Sequence, residues 1–72
     1  MAQWNHKQYD LLERAITGGT RISAYRRGTE YVVVPTRLRM IKGREAVEAV
    51  HPTTGDQIII YLDEMDSFEV VK

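Results

Sequence analysis

Hydrophobic and polar positions alternate along much of this chain, most clearly between residues 30 and 41. The stretch begins with Tyr31-Val32-Val33-Val34, one aromatic and three β-branched residues that favour an extended backbone. The inward positions are odd-numbered before Pro35-Thr36 and even-numbered after it, at Leu38 and Met40. Proline cannot donate to a sheet ladder, so a β-bulge at Pro35-Thr36 would absorb this slip of one residue. The pattern predicts one long strand, bent in the middle and shared by two halves of a sheet.

The segment before this strand has helical rather than alternating spacing. Asn5 is a favoured N-cap residue, and Gln8 three residues later can complete a capping box. Gly18-Gly19 follows the apolar positions and can end the helix in a left-handed conformation. The apolar positions share one face and are Leu11, Leu12, Ala15 and Ile16. We expect a helix over about residues 5–17 that covers one end or face of the sheet.

The central strand is predicted at about residues 29–41. Four shorter strands are predicted around it, at about residues 21–26, 44–51, 57–62 and 67–71. Arg27-Gly28 and Lys42-Gly43 are two-residue turns in which glycine supplies a positive φ. Residues 52–55 form a longer reversal, and residues 63–66 a polar corner. The resulting registers predict one shared core: Ile22, Val33, Leu38, Val47, Ile58, Ile60, Phe68 and Val70.

A helix followed by five short antiparallel strands, the second of them long and bent, is the layout of a small Sm-like or SH3-like barrel. The predicted fold class is mainly β with one N-terminal helix (α+β). All 72 residues are expected to form a single domain.

Composition narrows the class of protein. The chain has no cysteine, so disulfides and thiolate metal sites are excluded. It contains no apolar run near the ~20 residues of a membrane span and no signal-peptide core. We therefore expect a cytoplasmic protein without a membrane partner.

Charge is distributed unevenly although the net charge is zero. Residues 1–44 contain nine Lys/Arg and three Asp/Glu, whereas residues 45–72 contain one Lys and seven Asp/Glu. Such a division can mark a nucleic-acid surface. It can also reflect pairing of basic strands with acidic strands in one sheet. This second interpretation is favoured because the predicted register sets Arg37 opposite Glu48.

The sequence does not indicate an enzyme. Without cysteine, and with no Ser or Thr in a recognisable nucleophile motif, covalent catalysis has no basis. His6 and His51 lack metal-ligand spacing, and the carboxylates of residues 63–66 lack that of a calcium loop. Gly18-Gly19-Thr20 has no phosphate-loop lysine. We expect a non-enzymatic protein with no cofactor and no metal.

A basic surface is the remaining candidate for function. Long cations at turns can reach phosphate groups, and an aromatic ring can stack on a base. The predicted contacts to single-stranded nucleic acid or a nucleotide-like ligand are Tyr25, Arg26, Arg27, Arg37, Arg39, Lys42 and Arg44.

The alternative is a module for protein–protein interaction or self-association. The fourth strand has apolar residues on both faces, with Ile59 and Tyr61 pointing outward. The edge of a partly open barrel can pair with another chain. A homo-oligomer burying Ile59 or Tyr61 is therefore the second expectation.

The chain from Leu11 onward resembles the WYL domain, a regulatory module of bacterial transcription regulators. The matching segments are LLERAITGGTRISAYR, VVPTRL, GREAVEAVHPTTG, IYLDEM and FEVV. The resemblance implies a helix with an Sm-like barrel that binds nucleic acid or a nucleotide-like ligand, with Tyr25, Arg26, Arg37 and Arg44 as ligand-facing positions. The chain departs from the family at its signature, since Glu45-Ala46-Val47 stands in place of Trp-Tyr-Leu, and at Glu64, where an arginine is usual.

Overall fold

The computed structural model describes residues 4–71. One helix, α1 (His6–Gly18), precedes five strands: β1 (Ile22–Arg26), β2 (Thr29–Ile41), β3 (Arg44–Val50), β4 (Gln57–Tyr61) and β5 (Met65–Val70). A short 3₁₀ helix, Leu62–Glu64, joins β4 to β5. The strands form one antiparallel sheet in the order β4-β3-β2-β1-β5. This confirms the predicted class, mainly β with an N-terminal helix.

The predicted barrel requires a correction, because the sheet is not closed. Within residues 4–71, β4 and β5 pair with β3 and β1 respectively and not with each other. The 3₁₀ helix between them spans three residues, and β4 and β5 form the two opposite edges of the sheet. The fold is therefore an open, bent sheet with two edges.

Strand β5 begins earlier than predicted, at Met65 rather than residue 67, and it ends at Val70. Met65 is fully buried and pairs with Arg26, so it belongs to the sheet and not to a polar corner. Leu62, predicted as the end of β4, is buried in the 3₁₀ helix. The other helix and strand ends differ from prediction by one residue at most. The single-domain prediction also covers residues 1–3 and 72, which lie outside the described residues.

Strand β2 is bent where the sequence predicted. Its register with β3 shifts between Pro35 and Arg37, so Thr36 is the extra residue of a bulge. The Thr36 hydroxyl donates to the backbone carbonyl of Glu48 at 3.0 Å and so adds a bond across the bulge. The half of β2 before the bend pairs with β1 and the half after it with β3. One strand thereby organises both halves of the sheet.

Both predicted two-residue turns are present. Arg27 and Gly28 have φ of 51° and 77°, and Lys42 and Gly43 have φ of 50° and 79°. Two consecutive positive φ values define a type I′ turn, whose twist matches that of the flanking strands. The two turns lie at opposite ends of β2.

Helix α1 is capped as predicted. The Asn5 side chain accepts from the Gln8 amide, the Gln8 side chain accepts from the Asn5 amide, and both distances are 2.9 Å. Gly19 adopts a left-handed φ of 64°, which ends the helix at Gly18. The apolar stripe of the helix lies against the sheet, with Leu12 and Ala15 buried.

The predicted core is confirmed. Ile22, Val33, Val47 and Ile60 are fully buried, and the other predicted core residues, Leu38, Ile58, Phe68 and Val70, pack against them while partly exposed. Trp4 closes one side of this core, stacking on Phe68 at 5.3 Å between ring centroids. Its indole N–H donates to the Leu62 carbonyl at 3.2 Å. Met40 is 61% exposed, because β2 extends beyond the core at that end.

Candidate ligand-binding surface

The outer face of the sheet at β3 carries most of the predicted basic residues. Antiparallel registers align Arg37, Glu48 and Ile59 in one row across β2, β3 and β4. The next row is Arg39, Ala46 and Tyr61. We call the face formed by these two rows, with Arg44 and Lys42 at its margin, the outer basic face.

Glu48 is the centre of this face. Its side chain is only 7% exposed. Arg39 donates to one carboxylate oxygen, and Arg37 Nε donates to the other, Oε1, at 3.1 Å. Gln57 Nε2 lies 3.5 Å from that same Oε1. The hydrogen bonds from Arg39 and then Arg37 lower the pKa of Glu48, and they outweigh the opposing effect of desolvation.

Arg44 is held by two carboxylates and an aromatic ring. Its guanidinium donates to both carboxylate oxygens of Asp63, at 2.7 and 3.0 Å, and to Glu64 at 3.2 Å. The hydrogen bonds that Arg44 donates to Asp63 and then to Glu64 raise the Arg44 pKa, and the contact with Arg44 lowers the pKa of Asp63. The guanidinium carbon lies 3.9 Å from the centre of the Tyr61 ring. This places a cation over the face of an aromatic ring at the surface, within the range of a cation–π interaction.

The remaining predicted contacts lie at the other end of β2. Arg26 donates to the Tyr31 hydroxyl at 3.1 Å and its guanidinium carbon lies 4.8 Å from that ring centre. The Tyr25 hydroxyl is 3.5 Å from a carboxylate oxygen of Glu30, and Arg27 is exposed at the turn. The seven predicted residues therefore fall into two groups, Tyr25 to Arg27 at one end of β2 and Arg37 to Arg44 at the other.

The uneven charge along the sequence is largely compensated by these contacts. Arg37, Arg39 and Arg44 from the basic part pair with Glu48, Asp63 and Glu64 from the acidic part. The pairing interpretation is thus confirmed for these three arginines. The outer basic face holds four cations, and three carboxylates pair with its arginines.

The two residues predicted for self-association also lie on this face. Ile59 is 37% exposed on the edge strand β4. Tyr61 is half-buried because Arg44 covers its ring. Ile59 is accordingly the more accessible of the two.

Sequence reasoning missed the partners of Arg44. The sequence predicts a polar corner at Asp63 and Glu64 and an oligomer contact at Tyr61, and it indicates no contact of either with Arg44. Their spacing gives no signal, because the 3₁₀ helix after β4 determines where these side chains meet Arg44.

Residues 4–71 show neither a cluster of metal-binding side chains nor a helix suited to a membrane. No group of three or more His, Cys, Asp or Glu residues there could hold a metal ion. In the same part of the chain, no helix has the length and apolarity needed to cross a membrane.

The architecture defines a class of small β-domains with an N-terminal helix and a bent second strand. A similar solved structure is Proteasome accessory factor B/C (PafBC) of Arthrobacter aurescens, with a TM-score of 0.72 and 22% sequence identity. The match covers 97% of this chain and 12% of PafBC. At this identity the likeness shows the fold, and it supports the WYL-like fold that the sequence resemblance implied.

Sequence comparisons do not assign the chain to a family. No protein-family model matches the chain, and no curated protein sequence matches it.

Proposed function

We propose that this chain is a non-enzymatic regulatory or binding domain of the cytoplasm that binds single-stranded nucleic acid or a nucleotide-like ligand through its basic side chains. The similarity to PafBC, a regulator that contains a WYL domain, supports a regulatory or binding domain. The outer basic face is the proposed principal contact, and Tyr25, Arg26 and Arg27 form a second contact at the other end of β2.

One observation carries this proposal: the Arg44 guanidinium lies over the Tyr61 ring, and Arg39 lies in the same cross-strand row as Tyr61. Unpaired bases commonly stack on aromatic rings and on arginine planes. The phosphates of the same ligand can pair with Arg37, Arg39 and Lys42, whose long side chains lie on the exposed face. Since three carboxylates already pair with these arginines, we expect weak binding.

The proposal is tested by fluorescence anisotropy with a labelled single-stranded DNA at low ionic strength. We expect the affinity to fall as salt rises, because bound phosphates release counterions. Arg44→Lys retains the positive charge but loses the planar stack, so it should weaken binding by about fivefold or more, the contribution of one stacked base.

Arg14→Lys is the matched control, because Arg14 is an exposed arginine of α1 on a different element. It should bind like the wild type. The proposal fails if no salt-dependent binding is detected, or if the two variants bind equally well.

A specific observation supports the alternative, an interaction or self-association module. The exposed side chain of Ile59 lies at the middle of β4, whose outer edge has no strand partner within the described residues. An unpaired strand edge beside an exposed apolar side chain is suited to pairing with another chain.

A further inference from the structure

We propose that a groove at the bend of β2 binds a small carboxylate that carries an apolar body. The groove has a volume of about 510 Å³ and is lined by Arg21, Val32, His51, Pro52, Thr53, Thr54 and Asp56. It is separate from the outer basic face and uses none of the residues proposed above to bind nucleic acid.

The groove forms where β2 changes partner. Strand β1 begins at Ile22, opposite Val33, and β3 ends at Val50, opposite Val34. Arg21 and His51 each lie one residue outside those pairs. The bend at Pro35 separates the two halves of the sheet at this point, and the loop between β3 and β4 borders the opening.

The walls of the groove are held in place by the backbone. Within the loop, the His51 amide donates to the Asp56 carbonyl at 2.9 Å and the Gly55 amide donates to the His51 carbonyl at 2.8 Å. On the other side, the Arg21 carbonyl accepts from the Val71 amide at 2.9 Å. A ligand would therefore meet a largely preformed backbone and pay little to order it.

Arg21 differs from the arginines of the outer basic face because its charge is not used within the described chain. Residues 4–71 contain no ion pair to Arg21, whereas Arg37, Arg39 and Arg44 each pair with a carboxylate. The amides of Thr53 and Thr54 also donate no hydrogen bond within that part of the molecule. The groove thus offers a guanidinium and N–H and hydroxyl donors that have no acceptor among residues 4–71, and this is the donor set that an anion requires.

The other lining residues select among anions. Asp56 contributes a negative charge, so a singly charged carboxylate is favoured over a phosphate dianion by simple repulsion. Val32 is 40% exposed, and with Pro52 it gives the groove an apolar surface on which a hydrocarbon or aromatic body can pack.

The test is a titration of the ¹⁵N-labelled protein with benzoate, followed through its amide resonances by NMR. We expect progressive shifts at the amides of Arg21, Thr53 and Thr54. Benzamide, the neutral analogue of similar shape, should cause much smaller shifts, and phenyl phosphate should bind more weakly than benzoate.

Arg21→Gln should weaken benzoate binding by about tenfold or more, the loss of one charge-assisted hydrogen bond. The control is Arg14→Gln, because Arg14 is an exposed residue of α1 outside the groove. This variant should bind benzoate as the wild type does. The proposal is overturned if benzamide or phenyl phosphate binds as tightly as benzoate, if the shifts map to another surface or are absent, or if Arg21→Gln retains full affinity.

Discussion

At the scale of the residue, Glu48 shows how this sheet tolerates a buried carboxylate. Its side chain points to the outer face, yet it is almost inaccessible because Arg37, Arg39 and Gln57 surround it. Burial alone would raise its pKa, but the hydrogen bonds from Arg39 and Arg37 lower it. The carboxylate is therefore stable in its charged form only while those partners are in place.

This lowered pKa predicts acid sensitivity of the fold. The unfolded chain takes up the Glu48 proton near the ordinary pKa of 4.5, whereas the folded chain takes it up at lower pH. The stability due to this group is complete above the unfolded pKa and is lost as the pH falls through the folded pKa. Urea unfolding measured from about pH 7 to about pH 3 should show the free energy of unfolding decreasing over this range.

The Glu48→Gln variant should be less stable than the wild type at neutral pH and should lose less stability on acidification. Glu13→Gln, an exposed carboxylate on α1, should follow the wild-type pH profile. A Glu48→Gln profile with the full wild-type decrease would show that Glu48 is not responsible. Asp63, whose pKa Arg44 also lowers, would then be the next residue to replace.

At the scale of the element, the geometry of β2 depends on the two turns at its ends as much as on its bend. Both flanking turns place a long cationic residue, Arg27 or Lys42, in the left-handed conformation before a glycine. That conformation costs most L-residues about 1–2 kcal/mol, whereas asparagine adopts it more readily. The turns are therefore formed with a residue that is not optimal for their backbone.

Lys42→Asn should consequently stabilise the protein, by about 0.5–1 kcal/mol in urea unfolding, because Asn-Gly is a preferred sequence for a type I′ turn. Gly43→Ala should have the opposite effect, since it puts a side chain at a φ of 79°. Open space surrounds the position of the new Cβ, so the loss would reflect the backbone and not a steric clash. Destabilisation by Lys42→Asn would argue against the type I′ geometry.

At the scale of the whole molecule, the open sheet leaves two edges in place of the seam of a closed barrel. Most of the basic and acidic charges of the outer face cancel through contacts within the chain. The exposed Ile59 side chain on the β4 edge therefore lies beside charges that are largely compensated. Self-association through this edge would remove exposed apolar area and pair free backbone groups.

The prediction is that Ile59→Lys shifts the protein toward monomer in sedimentation velocity experiments at high concentration. A charged side chain at this position would have to be desolvated in the interface. Met40→Lys is the control, because Met40 is also exposed and apolar but lies on the central strand β2. A wild-type protein that remains monomeric at all concentrations would refute self-association.

The sequence by itself determined the helix, the first four strands and the registers of the three hairpins that join them, whereas the start of β5 and its pairing with β1 were not determined locally. The N-cap Asn5, the turn glycines Gly28 and Gly43 and the slip of the apolar pattern at Pro35-Thr36 are local signals. Each acts within a few residues of chain, through backbone sterics or a short-range hydrogen bond. A two-residue turn fixes which residues pair across an antiparallel hairpin. The position of Arg37 opposite Glu48 was therefore predictable from the turn at Lys42-Gly43.

Only the tertiary structure decided whether the sheet closes and what surrounds each charge. Whether the edge strands β4 and β5 pair depends on the 3₁₀ helix between them and on how far β2 bends. No local sequence pattern encodes the combined effect of these two features. Arg44 meets Asp63 and Glu64 across sequence separations of 19 and 20 residues, and it meets Tyr61 as well, so these contacts arise from packing. The groove beside Arg21 likewise exists only because the ladders of β1 and β3 with β2 end at adjacent residues, Val33 and Val34. The path of the backbone brings the lining side chains together there, and no local sequence pattern encodes that path.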